Sequence, residues 1–244
     1  MKIILSPAKK MRVDTDTLAP AGMPVYLDKA QKLLEWLKEK DYDTLKTLWS
    51  CSDAIAQENC ERLAHMNLSA NLTPALLSYE GIAYQYMAPA VFEDGQYDYV
   101  QAHLRILSAF YGVLAPMDGV TPYRLEMQAK ASVDGHKNLY DFWGDALYKA
   151  VRDDSGIIVN LASKEYSKCI EKYLTPEDTY ITCHFVELSK TGKLAVKATY
   201  AKMARGEMVR YMAEHKVQTP EALKGFCALG NVFREDLSDD KNYF

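Results

Sequence analysis

Residues 190–216 hold seven cationic side chains, Lys190, Lys193, Lys197, Lys202, Arg205, Arg210 and Lys216, against two carboxylates, Glu207 and Glu214. The chain as a whole is acidic, with 29 basic and 33 acidic residues and a formal charge of -4. A phosphate backbone is held by local clusters of Lys and Arg whatever the net charge, so this segment is the first candidate for a polyanion surface. At 100° per residue from 201 to 215, Met203, Ala204, Met208, Tyr211 and Met212 share one broad face, with Lys202, Arg205 and Arg210 opposite. A surface helix with a solvated charged face shows the same pattern, so the spacing alone does not decide. Gly206 adds a hint. A mid-helix glycine costs about 1 kcal/mol against alanine, and it permits close approach of another backbone or a ligand.

Other constellations are weaker. Asp141 and Asp145 stand four apart, so a helix would present both carboxylates on one face, as acid–base chemistry or a metal would use. Capping and first-turn acids explain the same pair, and Gly144 weakens a helix between them. Cys183 and His184 are adjacent, and neighbours on a strand point to opposite faces, so no metal site is predicted. Ser6-Pro-Ala-Lys9, Ser69-Ala-Asn71 and Lys190-Thr-Gly192 match, in order, the short motifs of penicillin-recognising acyl-transferases. Those enzymes work outside the cytoplasm and open a buried helix with the serine, a context this sequence does not provide. The dinucleotide fingerprint, the Walker A loop, the nucleophile elbow and the zincin motif are absent, and no cofactor is predicted.

The elements that must position these residues follow from periodicity. Ile3-Ile4-Leu5 and Gly156–Leu161 read as short buried strands, the first closed by Ser6-Pro7. Ala30, Leu33, Leu34 and Leu37 mark an amphipathic helix from Asp28 to Lys38. A helical region is predicted from about Leu45 to Met66, and Thr73-Pro74 is expected to cap a third reaching Gly81. Tyr97, Val100, Leu104, Leu107 and Tyr111 predict a helix ending at Gly112. With the Pro116 and Gly119 turn and the segment carrying Arg124, residues 104–127 then have the outline of a helix-hairpin-helix, which would present backbone N–H groups and Arg105 or Arg124 to phosphates. Tyr180–Leu188 and Leu194–Tyr200 read as two strands joined by the polar turn 189–193. The acidic segment 235–244 is expected to be loose.

Composition fits a globular α/β chain of 244 residues, 48% hydrophobic, with no repeat or composition break that calls for two domains. The apolar run behind Met1 is too short for a signal peptide, and no stretch approaches the roughly 18 residues needed to cross a bilayer. Five scattered cysteines suit a reducing compartment. A cytoplasmic location is predicted.

Several segments resemble the YaaA family of bacterial peroxide-stress proteins: Ile4-Leu-Ser-Pro-Ala-Lys9, His103–Ser108 running into Tyr111–Leu114, Pro122–Met127, Leu139–Asp145, Asn160–Ser163 with Glu165-Tyr166, and Tyr200–Gly206. The matches run in order along nearly the whole chain. The resemblance implies a single-domain, mixed α+β protein of unusual fold, with a central sheet surrounded by helices. It further implies a cytosolic role in surviving hydrogen peroxide by limiting iron-driven damage, and DNA as partner, bound through a basic cleft and a helix-hairpin-helix. Carried over by position, Lys9, Arg105, Arg124, Lys164, Lys202, Arg205 and Arg210 are the expected nucleic-acid contacts, with Tyr111, Tyr123 or Trp143 able to stack on a base if exposed. Asn231 stands where the family usually carries an aromatic ring. The rival reading is an enzyme acting on a nucleotide or phosphorylated small molecule, with Ser6 and Lys9 at a strand end and Asp141/Asp145 as acid and base.

Overall fold

A computed structural model describes residues 1–188 and 194–244. Among them, six strands form one sheet: β1 (Lys2–Leu5), β2 (Leu104–Ser108), β3 (Gly112–Leu114), β4 (Ile157–Asn160), β5 (Thr179–Cys183) and β6 (Asn242–Tyr243). Their spatial order is β6-β5-β4-β1-β2-β3, parallel throughout except for the β2–β3 hairpin. Ile3 pairs with Val159 on one side and Leu104 on the other, so β1 lies at the centre. Ile3, Ile4 and Leu5 are buried in succession, as are Ile158 and Val159. Uninterrupted apolar runs are what a parallel sheet covered on both faces requires, and both runs were readable as strands for that reason.

Helices α1 (Leu27–Lys38), α2 (Tyr42–Trp49) and α3 (Asp53–His65) come first. Ala30, Leu33, Leu34 and Leu37 are the buried stripe of α1, as their spacing predicts. The helical region expected over 45–66 is broken in two, because Ser50 takes a left-handed conformation (φ 45°) that closes α2. Thr73-Pro74 is a short strand paired with Gly119-Val120, and α4 (Ala75–Ser78) is a single turn behind it. Then come α5 (Ile82–Met87), α6 (Asp94–His103), α7 (Leu139–Trp143), α8 (Ala146–Val151), α9 (Lys164–Glu171), α10 (Ala198–Glu214) and α11 (Pro220–Leu223). Helix α6 packs on β1, β2 and α10, while α8 packs on β3 and α9.

Three expectations are corrected here. The helix predicted to run to Tyr111 stops at His103, and Leu104–Ser108 becomes β2. Leu104, Ile106 and Leu107 are each fully buried, so the same residues that mark a helical stripe also make a two-sided strand, and pairing with β1 decides between them. Residues 104–127 are consequently a β-hairpin, the short Gly119-Val120 strand and otherwise irregular chain, not a helix-hairpin-helix. Gly112, with φ at 79°, makes that hairpin possible, and the Trp143 ring fills the space a side chain there would need.

The third correction concerns residues 235–244, expected to lie loose. Their last residues form β6 on the edge of β5, where Thr182 N–H donates to the Lys241 carbonyl (2.8 Å) and His184 N–H to that of Tyr243 (2.7 Å). Phe244 stacks on the His184 ring at 4.5 Å. Apolar and backbone pairing outweigh the acidic composition of the segment. Glu187-Leu188 pairs with Leu194-Ala195 as a separate two-stranded ribbon. The turn expected over 189–193, with Lys190, Lys193 and the Lys-Thr-Gly motif, lies outside the described residues.

Candidate functional site

β1 and β4 are neighbours and parallel, yet the chain leaves β1 for β2 on one side and reaches β4 on the other. Reversal of strand order opens a crevice beyond the carboxyl ends of the two strands, the usual ligand position in open α/β sheets. Ser6 follows β1, and Ser163 follows β4 at the start of α9. The Ser163 N–H donates to Ser6 Oγ (2.8 Å), and the Ser6 hydroxyl donates to Ser163 Oγ (3.1 Å). Leu161 N–H donates to the Ile4 carbonyl (2.9 Å), and the buried Tyr84 hydroxyl to that of Ser6 (3.0 Å). These bonds hold the lip of the crevice.

The cavity here is about 420 Å³, and Lys9, Arg124, Lys202 and Arg205 all line it. They come from three distant stretches of chain. From Tyr123 to Met127 burial alternates, with Tyr123, Leu125 and Met127 in the core and Arg124 and Glu126 at the cavity. Lys9 Nζ holds Glu126 Oε1 at 2.7 Å, and an Arg124 Nη lies 3.8 Å from the same oxygen. Lys202 and Arg205 sit one turn apart on α10. That helix crosses α5 in close contact at Gly206, where a Cβ would stand 2.0 Å from the Ala83 carbonyl oxygen. The glycine flagged by the sequence therefore sets how deeply α10 brings its cations in.

In Arg124 and Arg205, which both line this cavity, Nε is buried without a hydrogen-bond partner. An unmet buried donor costs about 1–3 kcal/mol, and with Nε sealed the terminal Nη groups are the part of each guanidinium left to meet a ligand. Burial pushes the pKa of Arg205 down from its ordinary value. It also pushes the Glu165 carboxyl up, against the Gln128 N–H that hydrogen-bonds it. The arrangement can bind an oxyanion through two guanidinium forks, with Lys202 and Lys9 at the rim.

The other expected contacts lie elsewhere. Arg105 is at the far end of β2, donating to the carbonyls of Gln101 (3.0 Å) and Leu104 (2.7 Å), and burial lowers its pKa. It ties α6 to the sheet and does not line the crevice. Lys164 opens α9 and pairs with Glu171, beside a separate groove that also takes in Lys137, Lys168 and Lys172. Arg210 pairs with Glu214 at 2.7 Å, one helical turn on. Tyr111, Tyr123 and Trp143 are 1%, 6% and 1% exposed; Tyr123 does line the crevice, but with its hydroxyl tied to Tyr79 and Ser108 it is packed into the wall, and none of the three offers an open face to a base.

The remaining motifs resolve into structure. Asp141 accepts from the Lys137 N–H in the first turn of α7, and Asp145 precedes α8 and pairs with Lys149 (2.7 Å). Burial drives the Cys183 thiol up to about 12, while His184 Nε2 meets Asn242 Oδ1 at 2.9 Å. Among the described residues, no group of three His, Cys, Asp or Glu side chains could hold a metal ion. Among the same residues, no helix is long and apolar enough to cross a membrane. Asn231 lines a different, aromatic pocket and donates to the Ala228 carbonyl (2.9 Å). Tyr84, Glu126, Ser163 and Glu165 escaped sequence reasoning as site residues. The last three sit in family-like segments, but only the adjacency of β1 and β4 shows that they share a crevice.

A family model described as peroxide stress protein YaaA matches residues 1–237. The chain is 63% identical to a UPF0246 protein of Agathobacter rectalis over 243 residues, covering 100% of this chain and 97% of that one. It is 53% identical to UPF0246 proteins of Lachnoclostridium phytofermentans (98% of this chain, 94% of the relative) and Desulfitobacterium hafniense (100% and 96%).

Proposed function

Since the chain belongs to the peroxide stress protein YaaA family, we propose that it serves in peroxide stress by binding nucleic acid across the crevice beyond β1 and β4. The observation that carries this reading is the convergence of Lys9, Arg124, Lys202 and Arg205, from three distant stretches of chain, on one cavity. Backbone phosphates cross the rim, where Lys9 and Lys202 neutralise them without demanding a sequence. The α9 groove with Lys137, Lys164, Lys168 and Lys172 extends the cationic surface from the Ser163 lip. Protection from iron is then indirect: radicals made from iron and peroxide react close to where they arise, and a covered backbone is withheld from them.

Fluorescence anisotropy with labelled duplex, single-stranded and junction DNA across a salt series tests this. The expected slope of log affinity against log salt is about -0.9 per neutralised phosphate for duplex. A folded Lys9→Ala/Lys202→Ala variant should bind more weakly and lose nearly two contacts' worth of slope. Undiminished affinity in that variant would remove the crevice as the interface, and no binding at low salt would remove nucleic acid as the partner.

A further inference from the structure

The cavity is not uniform from rim to floor. Lys9 is 64% exposed and already committed to Glu126, and Lys202 stands out in solvent. The Arg124 side chain, by contrast, is only 11% exposed, and Nε of both arginines is sealed from solvent. Rim cations of this kind suit a phosphodiester passing across the opening. Sunken guanidinium forks do not, because a diester carries one charge and a sugar on either side, which keeps it from descending to the floor.

A phosphomonoester differs in both respects. It has one substituent, so it can enter end-on, and near neutral pH it carries a charge of about -1.5 to -2 with three strong acceptor oxygens. Two arginines match that dianion in charge and can each offer a planar pair of donors. The three acids lining the cavity subtract less than their formal charge: Glu80 is paired with Lys10, Glu126 is neutralised by Lys9 and approached by Arg124, and Glu165 is engaged by the Gln128 N–H. The hydroxyls of Ser6 and Ser163 at the lip lie at the carboxyl ends of β1 and β4, where open sheets of this type place ligands.

We propose that the floor formed by Arg124 and Arg205 is a binding site for a single terminal phosphate, carried either by a nucleic-acid strand end or by a free nucleoside monophosphate. This rests on reading the crevice as a phosphate site and narrows it from backbone to end group. The chain thereby distinguishes broken or processed strands, which present such ends, from intact ones.

The test compares one oligonucleotide sequence in three forms, with a 5′-phosphate, with a 3′-phosphate, and with hydroxyls at both ends, at fixed ionic strength and with the full chain. Adenosine monophosphate serves as competitor, and Arg124→Gln, Arg124→Lys and Arg205→Lys are measured alongside, the last two retaining charge if the first fails to fold. A phosphorylated form should bind about tenfold tighter or more than its hydroxyl twin, as extra charge-assisted bonds imply. That ratio should fall toward one in the variants, and the mononucleotide should displace the phosphorylated strand selectively. Equal affinity of all three forms overturns the terminal-phosphate site and leaves the nucleic-acid reading standing. Binding of the mononucleotide but of no strand, lost in Arg124→Gln, supports the site and overturns the nucleic-acid reading. Binding of neither overturns both.

Discussion

Asp178, just before β5, accepts hydrogen bonds from Thr175 N–H (2.8 Å), the Tyr148 hydroxyl (2.7 Å) and Arg152 Nε (2.9 Å). Burial opposes its ionised form, but these donors outweigh that and hold the carboxyl down to about 2. An unfolded aspartate titrates near 3.9, so the folded value is the lower one. The contribution to stability is therefore complete above the unfolded value and is lost as pH falls through the interval toward 2. Thermal unfolding followed from pH 7 to pH 3 should show the wild type losing stability more steeply than Asp178→Asn below pH 4.5. The variant should also melt lower at pH 7. Parallel pH profiles would mean that Asp178 is not the group responsible. The residue escaped notice in the sequence because its donors come from 148, 152 and 175, a set no local window contains.

At the scale of elements, the crossing of α10 over α5 is the joint that matters to the crevice. Helix propensity alone predicts that Gly206→Ala stabilises the protein by about 1 kcal/mol. The structure predicts the reverse, because the new Cβ would stand 2.0 Å from the Ala83 carbonyl oxygen, and backbone cannot rotate aside as a side chain can. A net loss of about 1–3 kcal/mol is expected, as for overpacking elsewhere, and urea unfolding measures it; a gain would place the two helices further apart than described. This glycine was legible because one residue in a helical pattern broke the propensity rule. Strands β1 and β4 were legible because fully buried strands leave continuous apolar runs. Strand β2 was not: Val100, Leu104 and Leu107 satisfy helical spacing, and the pairing with β1 that overrides it joins residues about 100 positions apart. Arg105 was misplaced for the same reason, since membership in a family-like segment fixes position in the chain but not which end of a strand faces the crevice.

For the whole molecule, the question is how a chain of net charge -4 keeps a cationic crevice open to anions. A free acidic segment would be drawn to Arg124, Lys202 and Arg205 and would compete with any phosphate. Here the acids of residues 235–244 are pinned instead: Arg234 engages Asp236 (2.7 Å), and Asp239 accepts from the N–H groups of Lys241 (2.8 Å) and Asn242 (2.7 Å) as the chain turns into β6. β6 sits at the sheet edge, with β5 and β4 between it and β1, and these carboxylates are tied into their own turns. Deleting residues 238–244 separates docking from competition. Losing the bonds that the N–H groups of Thr182, His184 and Arg234 donate to the carbonyls of Lys241, Tyr243 and Phe244, at about 1 kcal/mol each, should lower the melting temperature by roughly 6–12 °C. Binding of a phosphorylated strand should change by less than about twofold, since Asp239 is already committed to its own turn and exposed charges are screened over roughly 8–10 Å at moderate salt. An unchanged melting temperature would mean the segment is not docked in solution, and tighter binding on deletion would mean its carboxylates reach the crevice after all.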